Sequence, residues 1–206
     1  MELETIVTEL PNEGRAERPA WPGDYWATVN DSVNHRWQGR NTLSPLEKYD
    51  MAFNDWTPPD GFMELKPFDG CGDTDWDQEY YDQRGPAAGY WSNNKGNKAQ
   101  RDLVDDRAAC DEAIERWWGL CHAWVRLAIL EDEPEGRVEY NGVTFEVSDM
   151  KALFLMVYDR SSTKFLGTRC NLRDDEIERD EQGRIKQSEC RDTNPGSLHL
   201  ILTNFL

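Results

Sequence analysis

Apolar residues fall in short blocks separated by long polar stretches, and most blocks carry their own boundary signals. Ser44-Pro45-Leu46-Glu47 reads as a helix start, with serine as cap, proline at the first helical position and glutamate at the third. That helix is expected to run to about Phe53. From Asn54 to Lys98, Gly, Pro, Asp and aromatic residues recur without a period, which predicts mostly loop. Residues 99–116 read as a helix with a break at Asp105-Asp106. They lead through a Gly-containing turn into a second, strongly apolar helix that includes Ala123-Trp124-Val125-Arg126-Leu127-Ala128-Ile129-Leu130. Glu131-Asp132-Glu133-Pro134-Glu135-Gly136 ends it.

Val138-Glu139-Tyr140 and Val143-Thr144-Phe145-Glu146-Val147 flank Asn141-Gly142, a strong hairpin signal. Ser148 is placed to cap a helix from Asp149 to about Tyr158. Its apolar residues Met150, Ala152, Leu153, Phe154, Leu155, Met156 and Val157 nearly surround the axis, which predicts burial. Leu198-His199-Leu200-Ile201-Leu202 reads as a buried strand. Helices come first and strands later, so the fold class is α+β rather than a parallel βαβ sheet. Residues 1–20, polar and proline-containing, are expected to be a mobile lead-in to a single domain over 21–206. The sequence stops at an apolar segment, Phe205-Leu206. A domain boundary there predicts completion by a C-terminal segment or by a second chain.

Composition narrows the function classes. The 206 residues carry 40 acidic and 23 basic side chains, a formal charge of −17. That field opposes unaided binding to nucleic acid or to an anionic membrane. Mean hydropathy is −0.83, a value typical of disordered chains, but nine tryptophans argue for a folded core with long polar loops. No apolar run approaches the ~20 residues of a membrane span. Met-Glu-Leu-Glu-Thr at the start has neither the basic nor the apolar region of a signal peptide.

Chemistry concentrates in Trp117-Trp118-Gly119-Leu120-Cys121-His122-Ala123-Trp124. A cysteine entering an apolar helix meets unpaired N–H groups and the positive end of the macrodipole, which favour a thiolate nucleophile. If Cys121 is that nucleophile, Cys71, Cys110, Cys170 and Cys190 remain, and they permit two disulfides in three pairings. Cys170 and Cys190 bracket a polar loop that a disulfide would restrain, which leaves Cys71 with Cys110; four reduced core thiols fit the spacing equally well. His122 points about 100° away from Cys121 on a helix, a poor placement for its base. His35, in a Trp-rich segment, reads as structural. The acidic run Asp73-Thr74-Asp75-Trp76-Asp77-Gln78-Glu79 invites calcium but lacks the Gly and Glu positions of an EF-hand loop, so no cofactor is implied. Such loops would attract lysine-rich proteins. Asn30-Asp31-Ser32 fits a glycosylation sequon.

Gly119-x-Cys121-His122-x-Trp124 resembles the nucleophile motif of papain-like proteases and animal transglutaminases, with His122 in place of the usual Trp. Several further blocks resemble the transglutaminase-elicitor family of oomycetes and some bacteria. They are Tyr25-Trp26 with Asn34-His35-Arg36-Trp37, Ser44 to Asp50, Gly85-Pro86-Ala87-Ala88, Trp117 to Trp124, Asn141 to Asp149, Glu189 to Gly196, and His199 with Leu202 to Leu206. The resemblance implies a secreted, disulfide-bonded protein with a papain-like or transglutaminase-like core, its nucleophile helix packed on a small antiparallel sheet. It implies acyl transfer from a protein glutamine to a lysine amine through a thioester on Cys121. His199, which follows Cys121 in chain order, would be the proton carrier. In related enzymes the residue orienting the histidine lies further on, beyond Leu206, so Asp192 or Asp149 would have to substitute, with Asp149 equally explained by its helix dipole. Trp117, Trp118 and Trp124 would line the substrate tunnel, an indole completing the oxyanion site. Partners would be proteins with accessible Gln and Lys. A papain-like cysteine hydrolase (protease or glutamine deamidase) and a non-catalytic recognition or toxin-associated module are the alternatives on the same fold.

Overall fold

A computed structural model describes residues 3–15, 17–162, 168, 170–191 and 193–205. The chain divides into two compact units, a central one from Ala20 to Ser161 and a terminal one made of Met1–Pro19 with Ser162–Leu206.

In the central unit α1 spans Pro45–Phe53, α2 Gln78–Asp82, α3 Pro86–Asn94, α4 Lys98–Arg101, α5 Arg107–Ala113 and α6 Cys121–Leu130. The strands β1 (Val138–Tyr140) and β2 (Val143–Phe145) precede α7 (Val147–Asp159). α1 starts as its cap predicts. The Ser44 hydroxyl accepts from Glu47 N–H and the Glu47 carboxylate accepts from Ser44 N–H. The break between α4 and α5 includes the expected Asp105-Asp106, and the Asp106 side chain caps α5 through Ala109 N–H. Asn141 and Gly142 both take left-handed φ, +48° and +76°, and pair the antiparallel strands Val138 with Phe145 and Tyr140 with Val143.

Four expectations are corrected. The stretch read as loop holds α2 and α3; α3 begins at Pro86, and the Asp50 carboxylate from α1 accepts Ala87 and Ala88 N–H at 2.9 and 2.8 Å. That cap comes from 37 residues away, which no local signal announces. α7 starts two residues early, capped by Glu146 with Asp149 in the reciprocal position, and is not buried all round. Ala152 and Leu155 face the core while Phe154 and Val157 are 43% and 69% exposed. The helix α6, expected to pack on the sheet, packs chiefly on α7, and the hairpin packs on α1 and α7 through Val143, Phe145 and Ala52. The sheet is this two-stranded hairpin, so the central unit is helix-rich.

The fourth correction lies in the terminal unit. Leu198–Leu202 is not a strand but part of helix α8, Pro195–Phe205. A five-residue apolar run fits either element, and the deciding signal sits four residues earlier. Asn194 is the cap, its side chain accepting Ser197 N–H at 3.0 Å and its carbonyl accepting Leu198 N–H, with Pro195 next to it. Glu4 N–H donates to the Asn204 side chain at 2.8 Å, tying the N-terminal segment to α8.

Beside the small cluster of Ala52, Val143 and Phe145, two larger clusters form the core of the central unit. One joins Trp21, Trp26, Val33, Leu46, Trp91, Leu127 and Leu155; the other joins Phe62, Phe68, Tyr80 and Tyr81. Between them runs a buried charged network. Arg36 pairs with Glu47 and stacks over Phe62. Arg84 pairs with Asp31 and donates to Tyr80 OH at 2.7 Å, and Tyr80 OH donates to Glu47 at 3.0 Å. Lys48 pairs with Asp149, which also accepts Trp37 Nε1–H at 2.8 Å. Buried charges persist only when paired and hydrogen-bonded, and here each is.

Candidate active site

The loop before α6 is pinned to the segment Tyr25–Thr28. Thr28 N–H donates to Trp118 O at 2.9 Å, Leu120 N–H to Tyr25 O at 2.5 Å, and Tyr25 OH to Arg116 O at 3.3 Å. The approach is close enough to require glycine at 119, where a Cβ would lie 2.4 Å from Tyr25 O and 3.1 Å from Trp26 O. α6 is then anchored by Ala123, Leu127 and Ala128, all buried in the first cluster. Cys121 occupies its first turn, exposed and with a free thiol. The N-cap residue is Leu120, which supplies no side-chain acceptor. A leucine there forgoes roughly 1 kcal/mol of capping and leaves first-turn N–H groups for another acceptor. Such donors suit an oxyanion forming next to the thiol.

One chemically relevant pair was not anticipated. His122 Nε2 lies 3.0 Å from Asp159 Oδ1 at the end of α7, and the buried Asp159 carboxylate also meets Lys95 Nζ at 3.2 Å. His122 itself is exposed. On the same turn Arg126 Nε donates to His122 O at 2.9 Å and its Nη1 to Ser161 O at 3.2 Å. The helix crossing of α6 and α7 thus orients a histidine next in sequence to the cysteine. No sequence pattern marks Asp159, because the pair spans 37 residues.

A profile of the transglutaminase elicitor family matches residues 1–206. The chain belongs to the transglutaminase elicitor family. It is also similar in structure to the GP42 transglutaminase from Phytophthora sojae, with a TM-score of 0.58 and 25% sequence identity. The match covers 100% of this chain and 51% of that one, so this chain spans about half the length of GP42. No curated protein matches the sequence.

Within this family member the expected site residues fall in different places. Cys121 lies in the central unit and His199 on α8 of the terminal unit, where it is exposed. Asp192 lies outside the described residues. Asp149 is fully buried and committed to Lys48, Trp37 and Glu146 N–H, which makes it a structural carboxylate. Trp117 and Trp118 sit exposed on the loop before Cys121, ring centroids 6.1 Å apart and edge to face, while Trp124 packs half-buried against the first core cluster.

The cysteines pair as Cys71–Cys110 and Cys170–Cys190, each disulfide within one unit. Among the described residues no group of three or more His, Cys, Asp or Glu side chains is arranged to hold a metal, and no helix is long and apolar enough to cross a membrane. The acidic run at 73–79 spends its carboxylates locally. Asp73 accepts Asp69 and Asp75 N–H, Asp75 pairs with Lys66, and Asp77 accepts Lys66 N–H.

Proposed function

We propose that this chain is a protein-glutamine γ-glutamyltransferase, secreted and acting on proteins with accessible Gln and Lys. The observation that carries this reading is the redox asymmetry of the cysteines: four are oxidised in two disulfides, while Cys121 remains a free, exposed thiol on the uncapped first turn of α6. Disulfides fit an oxidising compartment, where an exposed free thiol is a liability unless it reacts.

In the proposed reaction the Cys121 thiolate attacks the carbonyl carbon of the glutamine γ-carboxamide and the oxyanion is met by first-turn N–H groups. A histidinium gives its proton to the departing ammonia, leaving a thioester. A lysine amine attacks that thioester, its proton returns to the histidine, and the thiolate leaves the new isopeptide. His199 is the proton carrier by chain order, with Asp192 as its orienting residue. Trp117 and Trp118 border the acyl site and Trp124 fixes the helix that bears the thiol. No metal is invoked in any step.

The exposure of Cys121 favours one second reading, since a thioester open to water is hydrolysed rather than transferred. The enzyme would then be a glutamine deamidase or protease. The deciding experiment is incorporation of a fluorescent primary amine into a glutamine-rich protein, with Cys121→Ala, His199→Ala and His122→Ala alongside wild type. Transferase predicts incorporation that is lost in Cys121→Ala and His199→Ala. Ammonia release without incorporation selects the hydrolase. Incorporation lost in His122→Ala but kept in His199→Ala transfers the proton-carrying role to the pair with Asp159.

A further inference from the structure

Two cavities of the central unit differ in character. One, of about 1160 Å³, is lined by five Lys or Arg and five Asp side chains, a balance that favours no ligand charge. The other, of about 410 Å³, is within the size range of small-ligand sites and is walled by aromatic residues. Tyr25, Trp26 and Trp37 line it, and Cys121 does not. Tyr25 and Trp37 are 37% and 38% exposed, so aromatic surface is open to a ligand here.

One carboxylate stands with these rings. Asp24 lines the same cavity and is exposed, and its Oδ1 accepts Trp26 N–H at 2.7 Å. That bond holds Trp26 at a φ of +50°, a left-handed backbone that bulky residues rarely take and that costs about 1–3 kcal/mol. Among the described residues no cation pairs with Asp24. His35 and Lys151 also line the cavity. Lys151 is already neutralised: its Nζ pairs with Glu133, donates to Pro22 O at 2.7 Å and lies 4.7 Å from the Trp21 ring centroid. The protein thus sets one ammonium of its own over an indole face at this wall.

Aromatic faces attract cations through their quadrupole, and a carboxylate without a counter-ion adds to that attraction. The chain's charge of −17 draws cations toward its surface. We propose that this cavity is a docking site for an alkylammonium group, the side chain of a lysine on a bound protein. An amine held there as a cation is not the one that attacks a thioester, because only the neutral amine is nucleophilic. The site therefore goes beyond the acyl-transfer reading and does not depend on it.

The test uses the full chain carrying Cys121→Ala, so that no thioester forms and the result stands apart from the proposed reaction. Butylammonium, Nα-acetyl-lysine amide, butanol and butyrate are titrated at about pH 8, where free imidazole is uncharged. The indole N–H resonances of Trp26 and Trp37 are followed by NMR, with Trp56, which does not line the cavity, as control. The expected result is saturable shifts with butylammonium and with the lysine amide at a Kd on the order of 1–100 mM. Butanol, uncharged, and butyrate, an anion, are expected to bind at least about threefold more weakly. Asp24→Asn removes the charge but keeps an Oδ1 acceptor for Trp26 N–H, so it should weaken butylammonium about threefold with the melting temperature retained. Absence of saturable shifts with butylammonium overturns the proposal, as does binding of butanol or butyrate as tight as that of butylammonium. Lysine amide binding far more weakly than butylammonium overturns the assignment to a protein side chain. If Asp24→Asn fails to fold, the four-probe series on the parent protein decides.

Discussion

Gly119→Ala tests how tightly the fold holds the candidate nucleophile. A methyl group at this position would stand 2.4 Å from Tyr25 O, 2.7 Å from the Tyr25 ring and 3.1 Å from Trp26 O. Two of those three atoms are backbone, so no side-chain rotation relieves the overlap. The loop must retreat by the better part of an ångström, and the Leu120 N–H bond to Tyr25 O is the first interaction lost. Overpacking of this kind costs about 1–3 kcal/mol and a lost hydrogen bond about 0.5–1.5 kcal/mol. A combined loss of about 3 kcal/mol lowers the melting temperature of a domain this size by about 6–12 °C. Gly89→Ala is the matched control. Gly89 lies within α3, and a Cβ there meets nothing closer than 4.0 Å, so the same change should stabilise by about 0.5–1 kcal/mol. Thermal melting of both variants, with the alkylation rate of Cys121 measured on each, reads out fold and site together. Gly119→Ala should melt lower and alter the alkylation rate, and Gly89→Ala should do neither. If Gly119→Ala melts within about 1 °C of wild type, the close approach of the Tyr25 segment does not position α6, and the account of the loop is wrong.

Other consequences follow from the same contacts. Lys48→Met strips the counter-charge from a fully buried Asp149. Urea unfolding should show a loss of about 3–5 kcal/mol, and a loss below about 1 kcal/mol would mean that Trp37 and Glu146 N–H suffice to hold the carboxylate. Burial raises the Tyr80 phenol far above its ordinary value, with Arg84 opposing and Glu47 adding to the rise, and burial chiefly raises Tyr81 as well. Unfolded tyrosine ionises near pH ~10. The native state therefore keeps protons that the unfolded chain loses, and stability that is complete below about pH 10 declines above it. Melting curves taken between about pH 8 and pH 11 should show that fall, and Tyr81→Phe should lessen it; a flat profile contradicts the burial. Without reductant, iodoacetamide should label only Cys121, and all five cysteines only after reduction in denaturant. Labelling of Cys71 or Cys170 in the untreated protein would overturn the pairing.

Local signals were readable and long-range ones were not. The Ser44 capping box, the Asn141-Gly142 turn and the start of α6 at Cys121 depend on residues within a few positions of each other, and each formed as expected. α8 departs from expectation for a local reason, because the apolar run Leu198–Leu202 fits strand and helix alike and the Asn194 cap with Pro195 decides for helix. The Asp50 cap on α3, the Arg84–Asp31 pair and the His122–Asp159 pair join residues 37 or more apart, and composition reports only that charges exist. The disulfides occupy an intermediate position, since four cysteines left three pairings and loop spacing with family resemblance chose among them.

The contrast bears on what the central unit is built to do. A core made for stability alone would place apolar side chains where Arg36, Glu47, Arg84, Asp31, Lys48 and Asp149 lie, because buried ion pairs seldom outperform hydrophobic packing of equal volume. Of those residues Asp31, Arg36 and Arg84 instead line the large cavity of the central unit, together with Tyr25. At the other end of the Tyr25 segment, Leu120 at the N-cap of α6 supplies no side-chain acceptor beside Cys121. Stability is therefore given up at two places joined by one pinned segment, Tyr25–Thr28. A perturbation of that segment should alter the alkylation rate of Cys121 and the unfolding free energy together, whereas two unrelated packing defects would respond separately.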